Sequence, residues 1–538
     1  MEKPMEIQVR INSEGALRNQ RYAFTDRFTL VSELLQNARR AGATLIEVSH
    51  DEPSRTLRVR DNGRGLGDFQ KLLTFHESGW DQDLQRQEQP FGVGFSKCLY
   101  ASTRCIVTSG GLEADIDTAA ALAHASVPVR PSAVGVHPGT IVELYGVDLE
   151  GLHRRIGPMC RGFPVPVEFN GRLIPRPDAT DASNGDGFHD TPVGAVRLSG
   201  SVDGRCSVRT RVYLQGFCVN RRPSHLDEHD DSNVVHLDPA RHLARLPDRD
   251  RLIDEDTQLK AVDEAVTHLW RRILLHRKGS LPAAEFVETF YGAMHMWKHL
   301  DLLDDVPVLP RVLCDTITYP VQEAFPSRDF MEPLASAPTR EEVESGRLRL
   351  VSLDAPSDES MADWMLAWSL KMVVFDAHVL GPGHWVHAHV RELSARDVSV
   401  RAVGETLRTR LEGRWLWADV VLCERVRLEA GGETVELEED GLAHEGTLFI
   451  PAGECSGCAV QQASDFVDSD GHWHEDDMEA DTAMLAELIH RMRASDPVST
   501  LRAMLERLNL ERFPVMVGRT FRLSVGPSPE EHVLELLG

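Results

Sequence analysis

The strongest indication of structure in this chain is the order of three short motifs between Glu33 and Phe95. They are Glu33-Leu34-Leu35-Gln36-Asn37, Asp61-Asn62-Gly63-Arg64-Gly65 and Phe91-Gly92-Val93-Gly94-Phe95. The pattern around them predicts a different local structure for each: a helix, the end of a strand and a glycine-rich loop that opens a helix. Together they predict a single pocket built by these three elements.

The first motif lies in a predicted helix, Phe28–Ala41. Apolar residues recur there with a helical period: Leu30, Leu34 and Ala38. Thr25 or Asp26 is expected to cap the start of the helix. Glu33 and Asn37 then share one face, where a carboxylate can deprotonate a water and an amide oxygen can hold Mg²⁺. Taken alone, the motif also fits an amphipathic helix with two polar residues at its wet edge.

The second motif follows two alternating segments, Thr44–His50 and Arg55–Arg60, which predict a pair of strands. Asp61, placed where the second strand ends, can accept a hydrogen bond from an exocyclic amine. Gly63 and Gly65 let the backbone approach a flat ring. Asp-Asn-Gly is also common turn chemistry, so the alternative for this motif alone is a hairpin or a strand-to-helix turn.

The third motif predicts a loop that opens a helix from Phe91 to about Ser102. The free backbone N–H groups and the positive end of such a helix face phosphate. The motif lacks the Lys-Ser/Thr ending of a P-loop, and no Gly-x-Gly-x-x-Gly follows a strand here. The common mononucleotide and dinucleotide folds are therefore disfavoured, and the three motifs together predict a pocket for ATP and Mg²⁺.

In order and spacing, the motifs resemble the ATPase superfamily of gyrase, the ninety-kilodalton heat-shock chaperones, histidine kinases and MutL. Residues 33–44 resemble the MutL version, and Phe91–Phe95 resembles the chaperone version. A fourth segment, Gly139–Leu144, resembles the closing Gly-Thr strand, whose threonine lies beneath adenine in that family. The resemblance implies an α+β protein whose residues 1–175 form a Bergerat-type α/β sandwich, a mixed sheet with helices on one face.

The resemblance also implies a role for each matching residue. Glu33 is then the general base, and Asn37 is the Mg²⁺ ligand. The adenine and phosphate contacts are Asp61, Gly63, Gly65, Gly92, Val93, Gly94, Phe95 and Thr140. Chemistry of this kind is mostly positioning and charge stabilisation around phosphates, which suits a slow ATP switch.

Two positions depart from the family pattern. Arg39-Arg40 stand where Asp is common, and Gln89-Pro90 stand where the glycine loop usually begins with Gly. Neither change removes a core ligand. Leu66–Gln89, between the glycine motifs, has the polar composition of a short ATP lid, although a plain surface helix and loop fits it too.

Length and composition indicate a multidomain globular protein. With 538 residues, a prior of about 150 residues per domain predicts three or four units. No apolar run is long enough to span a bilayer, and the N-terminus has no secretory pattern, so we expect a cytoplasmic protein with no membrane partner. Nine cysteines are scattered, and those in hydrophobic stretches (Cys98, Cys105, Cys218, Cys423) predict reduced core thiols.

The formal net charge of -26 argues against broad, non-specific nucleic-acid binding. A local basic groove stays open as a hypothesis where arginines cluster in sequence: Arg205, Arg209, Arg211, Arg221 and Arg222. Alternating arginines on a strand also fit its wet face.

Pro175–Thr191 is rich in turn formers and predicts a linker or a long hairpin loop. A second domain follows at 192–280. Its predicted strands are Val196–Ser201, Cys206–Leu214 and Phe217–Val219, followed by a predicted helix, Asp256–Arg277; a further predicted helix, Pro282–Leu303, lies just beyond this domain. This order resembles the transducer domain of MutL and the chaperones, which implies a basic side chain that reaches the γ-phosphate. Arg249 is the catalytic candidate, and an Arg paired with Asp248 or Asp250 at the surface is the alternative.

Residues 281–538 predict a helical connector and a mixed α/β region. No internal repeat is found across 307–538, and by elimination we expect partner specificity there. The predicted helices are Ser360–Val374, Glu479–Ala494 and Thr500–Leu508. The predicted strands are Trp385–Val390, Leu416–Leu422, Thr434–Leu437 and Leu448–Ile450.

One constellation in this region has the ligand types of a structural zinc site. Cys455 and Cys458 are followed by His472 and His474, and two thiolates with two imidazoles can bind zinc. The His-x-His spacing is not that of a zinc finger, and the segment between is acidic. Two free cysteines near a solvated loop are the alternative.

Two function classes are open from the sequence. The first is a Mg²⁺-dependent ATPase whose nucleotide-driven lid closure and homodimerisation clamp or remodel a macromolecular client, either protein or nucleic acid. The second is a nucleotide-sensing module with little or no hydrolysis that recruits a partner through its C-terminal region. Glu33 favours the first, since a module that only binds needs no base. No phosphoacceptor helix precedes residue 33 and no recognisable cleavage domain is present, which disfavours a histidine kinase and a gyrase-type topoisomerase.

Overall fold

The computed structural model describes residues 8, 12–20, 26–75, 80, 94–180, 187–220, 231–245, 251–321, 330–453, 458–494, 496–506, 513–528 and 531–538. The chain divides into two compact units. The first comprises Met1–Leu281 with Thr289–His299, and the second comprises Pro282–Glu288 with Leu300–Gly538. Both units mix helices with several sheets.

The first unit contains an eight-stranded mixed sheet. Its strands are β1 (Ile46–Asp51), β2 (Thr56–Asp61), β3 (Arg104–Ser109), β4 (Leu112–Asp117), β5 (Val129–Pro131), β6 (Thr140–Tyr145), β7 (Val167–Phe169) and β8 (Arg172–Leu173). Their order across the sheet is β5-β4-β3-β6-β2-β1-β7-β8. The β1–β7 pair is parallel and the others are antiparallel, so strands far apart in sequence become neighbours at the centre.

The pleat of this sheet separates an apolar face from a polar one. Val59 pairs with Val48 on one side and with Val142 on the other, and these side chains join one hydrophobic core. On the opposite face, Arg58 lies 3.4 Å from Glu143 and Arg60 lies 3.5 Å from Glu47. Helices therefore cover one face of the sheet.

The helices of the first unit that precede the second sheet are α1 (Ser13–Gln20), α2 (Thr29–Arg40), α3 (Ser96–Ala101), α4 (Thr118–Leu122) and α5 (Leu152–Cys160). Helices α2, α3 and α5 contribute side chains to the core on the apolar face. The predicted helix Phe28–Ala41 is thus confirmed as α2, with slightly shorter bounds. Its N-cap is Phe28, without a side-chain cap, and the Asp26 carboxylate accepts from the Phe28 N–H at 2.9 Å. Thr25 lies outside the described residues.

A second sheet of the first unit has the order β12-β11-β13-β10-β9. Its strands are β9 (His189–Thr191), β10 (Gly194–Arg197), β11 (Thr210–Leu214), β12 (Phe217–Cys218) and β13 (Asn233–Leu237). Two long helices follow, α6 (Glu255–Ser280) and α7 (Ala283–Met296). The predicted strands and helices of 192–303 are found with shifted ends, and β10 begins earlier and stops at Arg197.

The two sheets of the first unit are joined at a buried carboxylate. Asp178 is 2% exposed. Its oxygens lie 2.7 Å from Arg161 Nε, 3.1 Å from Arg197 and 3.5 Å from Arg211, and the Tyr213 hydroxyl donates to it at 2.7 Å. Since Arg161 follows α5 and the other partners lie on β10 and β11, this one side chain ties the first sheet's helices to the second sheet.

The position of Asp178 differs from the sequence-based expectation. It lies in Pro175–Thr191, predicted as a linker or a long hairpin loop, and the described part of that segment outside β9 is irregular, as a loop should be. However, Asp178 and Ala179 are buried. Turn-forming composition indicates irregular backbone and does not indicate whether that backbone is solvated.

The second unit contains a five-stranded sheet of order β15-β14-β17-β16-β18, a three-stranded sheet β19-β22-β23, a four-stranded sheet β20-β21-β25-β24 and a hairpin β26-β27. The strands of the first are β14 (Cys314–Ile317), β15 (Met331–Pro333), β16 (Leu350–Leu353), β17 (Val373–Phe375) and β18 (Val390–Leu393). The remaining strands are β19 (Ser399–Val403), β20 (Leu407–Glu412), β21 (Trp417–Leu422), β22 (Arg425–Ala430), β23 (Glu433–Leu437), β24 (Leu442–His444), β25 (Thr447–Ile450), β26 (Phe521–Val525) and β27 (His532–Leu536). Its helices after α7 are α8 (Arg340–Glu344), α9 (Ala362–Ser369), α10 (Cys458–Ala463), α11 (Glu475–Arg493) and α12 (Pro497–Glu506).

Two predicted elements of the second unit are wrong. Trp385–Val390 was expected to be a strand, but Trp385–Ala388 is a 3₁₀ turn, because the His384 ring accepts from the Val386 N–H at 3.1 Å and caps it. Ser360–Val374 was expected to be one helix. Helix α9 ends at Ser369, Lys371 takes a φ of 54°, and the chain then enters β17.

The eight described cysteines are all free thiols, and six of them are buried. Burial raises the pKa of Cys105, Cys160 and Cys314 to about 12, as expected of core thiols. Cys218 is half-buried. Within the described part of the chain, every helix is too short or too polar to cross a membrane.

We predict that Asp178→Ala destabilises the first unit by about 3–5 kcal/mol, because it leaves partly buried guanidinium groups without their shared carboxylate. Urea denaturation followed by circular dichroism measures this. Asp203→Ala is the control, since its pair with Arg205 is exposed, at 3.7 Å with side chains 88% and 56% accessible. The control should change the free energy of unfolding by less than about 0.5 kcal/mol. Equal effects of the two substitutions would show that Asp178 does not join the sheets.

Candidate nucleotide site

Asp61 ends strand β2 at the centre of the first sheet and is 8% exposed. The backbone N–H of Gly63 donates to its carboxylate at 2.8 Å, and the N–H of Thr140 also bonds to it. Burial raises the pKa of Asp61, and these two N–H groups act in the opposite direction. A carboxylate at a strand end, held by backbone donors, is a fixed hydrogen-bond acceptor.

Thr140 lies next to Asp61 because β6 runs antiparallel to β2, with Arg60 opposite Ile141. Strand β3 borders β6 on the other side and places Ser109 opposite Thr140. The Ser109 hydroxyl lies 3.4 Å from the Thr140 hydroxyl and donates to the Gly139 carbonyl at 2.9 Å. The sheet thus brings together the two predicted adenine contacts and adds Ser109, which its sequence context alone did not indicate.

Glycine is required where these segments cross. Gly139 has a φ of +75°, and a Cβ there would lie 1.9 Å from the Asp61 carbonyl oxygen. Gly65 has a φ of +76°, and a Cβ there would lie 2.8 Å from Ser109 Oγ. Ser109 Oγ in turn accepts from the Leu66 N–H at 2.8 Å. Gly65 therefore allows its turn to approach strands β3 and β6 closely, and its approach to a nucleotide ring stays a prediction.

The turn after Asp61 is attached to the end of helix α2. The Arg64 N–H donates to the Ala41 carbonyl at 2.9 Å, and a Cβ on Gly63 would lie 2.8 Å from that same carbonyl. The Asn62 side chain accepts from the N–H groups of Thr44 and Leu45 at 2.8 and 3.1 Å. The second motif is thereby fixed against the helix that carries the first.

The third motif meets the same helix in its middle. Glu33 is only 6% exposed, and a Cβ on Gly94 would lie 2.2 Å from its Oε2. Gly94 therefore lets the glycine loop touch the Glu33 carboxylate, a contact that any larger residue would displace. Asn37, one turn further along α2, is half-buried. Phe95 is the N-cap of α3, so the helix predicted from this motif is present and begins at Ser96, whereas Phe91 lies outside the described residues.

Two residues near this helix were not predicted as functional. Lys97, on α3, is 4% exposed and donates to the Asp26 carbonyl ahead of α2. Gln36, between Glu33 and Asn37, is 1% exposed, accepts from Arg39 at 3.2 Å and donates to Gln215. Lys97 lies outside the three motifs and Gln36 has no assigned role within the first one, and the partners of both side chains lie on distant segments, so the sequence gives no signal for these contacts.

Some predicted site residues lie outside the described residues. These are Gly92, Val93 and Arg249, together with Gln89-Pro90 and most of the predicted lid. Within the described part of the lid, Phe69–Leu72 forms a 3₁₀ turn, and the Arg64 guanidinium lies 5.2 Å from the centre of the Trp80 ring. Trp80, in the segment predicted as the lid, therefore contacts the second motif.

The predicted zinc ligands separate in the second unit. Cys455 lies outside the described residues, and the Cys458 thiol receives the Gly441 N–H at 3.1 Å. His472 and His474 instead contact Asp468, at 3.5 and 3.1 Å. In the described chain, one group of three metal-type side chains comes within 4.8 Å, namely Asp468, Asp470 and His472, and it does not include Cys458.

Comparison with known proteins adds no further constraint on the site. No protein-family model matches the chain, and a search of curated proteins found no match either.

We predict that Gly139→Ala destabilises the first unit by about 2–5 kcal/mol, combining about 1–2 for left-handed strain with about 1–3 for overpacking. Gly135→Ala is the matched control, because Gly135 has a φ of +74° and nothing within 4 Å of an added Cβ. Gly135→Ala should lower the free energy of unfolding only by the contribution of left-handed strain, about 1–2 kcal/mol. Thermal unfolding of the two variants measures the difference, and equal melting temperatures would contradict the close approach.

Proposed function

We propose that residues 1–175 bind ATP with Mg²⁺ and hydrolyse it, as a Bergerat-type member of the superfamily of gyrase, the heat-shock chaperones, histidine kinases and MutL. The observation that carries the proposal is the contact between Gly94 and the Glu33 carboxylate. A phosphate-binding loop and a general base are useful only side by side. Here two motifs that are distant in sequence meet at that point.

The length of helix α2 supports the same proposal. Glu33 lies near its middle, and Ala41, which contacts the Asp61 turn, follows eight residues later at the helix end. At about 1.5 Å per residue the two points are about 12 Å apart along the helix. An extended nucleoside triphosphate bridges such a distance, with adenine at Asp61 and its terminal phosphate near Glu33.

In this proposal each site residue has a separate role in binding or hydrolysis. Asp61 accepts from the adenine amine, Thr140 lies under the base, and backbone N–H groups of the glycine loop hold the phosphates. Glu33 takes a proton from a water whose oxygen forms a bond to the γ-phosphorus as the bond to ADP breaks. Asn37 supplies an amide oxygen for Mg²⁺, which commonly takes one or two protein ligands beside water and phosphate and neutralises phosphate charge when bound.

We further propose that nucleotide binding acts on a macromolecular client through lid closure and an ATP-dependent homodimer. Support comes from the hairpin of β11 and β12, which touches helix α2. Its tip is Gln215-Gly216, and Gln36 donates to Gln215. A Cβ on Gly216 would lie 2.7 Å from Pro164, so the tip is held closely. Movement of α2 at the nucleotide must therefore move the second sheet or break this contact.

We predict that Glu33→Ala retains ATP binding and loses most turnover, whereas Asp61→Asn loses binding. Since burial disfavours the ionised form of Asp61, the amide should leave the melting temperature equal to or above that of the parent. Turnover with Mg²⁺, calorimetric ATP binding and thermal unfolding are measured on the same samples.

Glu143→Ala, on the polar face of the sheet, is the control. Turnover by Glu33→Ala at the parent rate would refute the assigned base, and binding without turnover in the parent would favour the nucleotide-sensing module.

The hairpin contact gives a separate prediction for Gln215 as a positioning residue. Gln215 has a φ of 53°, which Asn tolerates well, so Gln215→Asn keeps the turn but shortens the side chain away from Gln36. We expect kcat to fall about tenfold, or about 1.4 kcal/mol, with ATP affinity changed less than about twofold. Gln215→Glu keeps an acceptor for Gln36 and should retain turnover. Equal kcat values for the two variants would exclude this role.

A further inference from the structure

The loop that leads into strand β6 turns a polar atom inward and apolar side chains outward. Val134 and Val136 are 65% and 87% exposed. His137 follows Val136 and is half-buried, and its Nε2 atom is shielded from water. Most loops show the reverse arrangement, because a buried polar atom loses its hydrogen bonds to water. The inward position of this nitrogen therefore needs an explanation.

The protonation of the His137 ring follows from its one hydrogen bond. Nδ1 lies 3.1 Å from the Pro138 carbonyl oxygen. A carbonyl oxygen only accepts, so Nδ1 carries the proton in this bond. In the neutral ring Nε2 is then an acceptor, and it has no hydrogen-bond partner among the described residues. A buried acceptor without a partner costs about 1–3 kcal/mol, and a bound donor removes that cost.

The His137 ring is a neighbour of Asp61. Gly139, two residues after His137, crosses β2 so closely that a Cβ on it would lie 2.8 Å from Asp61 Oδ1. Burial raises the pKa of Asp61, and the charge of a protonated His137 ring acts in the opposite direction, as it does only at short range. The described structure nevertheless shows no hydrogen bond or ion pair between the two side chains.

We propose that His137 determines base specificity: its Nε2 accepts the second N–H of the 6-amino group of adenine, while Asp61 accepts the first. This inference rests on the proposed nucleotide site and deepens it. The two N–H bonds of such an amine diverge by about 120°, so hydrogen bonds of about 2.9 Å place the two acceptors about 5 Å apart. Neighbouring acceptors that do not touch each other fit this geometry.

The Asp61 carboxylate has room for the amine. An ionised carboxylate offers about four lone-pair sites. The backbone N–H groups of Gly63 and Thr140 use two of them. Thr140, the predicted contact beneath the base, follows Gly139 directly and begins β6. His137 and Thr140 thus belong to one short segment, which the close approach of Gly139 holds against Asp61.

Two acceptors at this position distinguish the purine bases. Guanine has a carbonyl oxygen where adenine has its amine. That oxygen would face the Asp61 carboxylate and the His137 nitrogen with no hydrogen atom between them. A site strongly rejects a ligand that leaves its buried polar groups unpaired. We therefore expect guanine nucleotides to bind at least about 100-fold more weakly than adenine nucleotides.

The test is calorimetric binding of ADP and GDP with Mg²⁺ to the full chain, since these diphosphates carry the two bases and lack the γ-phosphate. His137→Phe keeps a ring and removes the acceptor. We expect its dissociation constant for ADP to rise about 3–10-fold, which corresponds to one neutral hydrogen bond, and its preference for ADP over GDP to fall about tenfold. His153→Phe is the matched control, because His153 is exposed on α5. It should change each constant by less than about twofold.

A second measurement covers the case in which the phenyl ring disturbs the pocket. Purine riboside diphosphate lacks the 6-amino group, so His137→Phe should leave its affinity unchanged while the affinity for ADP falls. His137→Gln places an amide oxygen near the position of Nε2, so it should bind ADP within about twofold of the parent.

The possible results separate this inference from the proposed function. Equal losses of affinity for ADP and for purine riboside diphosphate in His137→Phe would overturn the role of His137 and leave the proposed site intact. An unchanged preference for ADP over GDP in that variant would do the same. A parent chain that binds neither ATP nor ADP would refute the proposed function, and the role of His137 with it.

Discussion

Helix α2 is buried along most of its length, so its polar side chains need partners from other parts of the chain. Nine of its twelve residues are buried, and they include Glu33, Gln36 and Arg40 as well as the apolar stripe. A buried polar group without a partner costs about 1–3 kcal/mol. Each contact made with this helix, from the glycine loop to the second sheet, therefore both stabilises the unit and determines where Glu33 and Asn37 lie.

The same constraint explains why the first unit contains two sheets joined at polar contacts. Gln215 reaches Gln36 at the helix, and Asp178 gathers arginines from beside α5 and from the second sheet. Hydrogen bonds and ion pairs of this kind depend on direction and distance more than apolar packing does. Contacts of this kind therefore hold the two sheets of the first unit in a well-defined arrangement. Such an arrangement suits the proposed site, because its chemistry depends on positioning.

Sequence reasoning succeeded where the signal is local. The alternation in β1 and β2, the helical period of α2 and the long helix α6 are each visible in one short window, and the structure contains all three. It failed where a distant residue decides the outcome. The turn-rich composition around Asp178 does not show that three arginines from other parts of the chain contact its carboxylate. Likewise, the sequence around Trp385 does not show that His384 caps a 3₁₀ turn.

The candidate site shows the same difference between residues with a local sequence signal and residues whose contacts lie far away in sequence. Glu33, Asn37 and Asp61 belong to motifs, so they could be named from the sequence. Ser109 could not be named, because its position follows from the order of strands β3, β6 and β2. Gln36 is part of the first motif, but its contact could not be predicted, because the partner lies on a hairpin almost 180 residues away. Gly139 was visible only as part of a strand-start motif, and its close approach to Asp61 is a property of the pairing between β2 and β6.

Two surface features of the second unit, the acidic cluster at Asp468 and the hairpin of β26 and β27, differ in whether their side chains already have favourable contacts within the chain. Asp468, Asp470 and His472 have the chemistry of metal ligands, but Asp468 already accepts from backbone N–H groups and contacts His474. These bonds, the His472 N–H foremost, lower the pKa of Asp468 to about 2, so the carboxylate is stable without an added cation. The hairpin of β26 and β27 is the opposite case, because its backbone is paired while apolar side chains such as Val525, Leu534 and Leu536 are 60–75% exposed. Water satisfies a polar cluster at little cost, whereas exposure of apolar side chains to water is unfavourable, so hydration stabilises the acidic loop and not the hairpin.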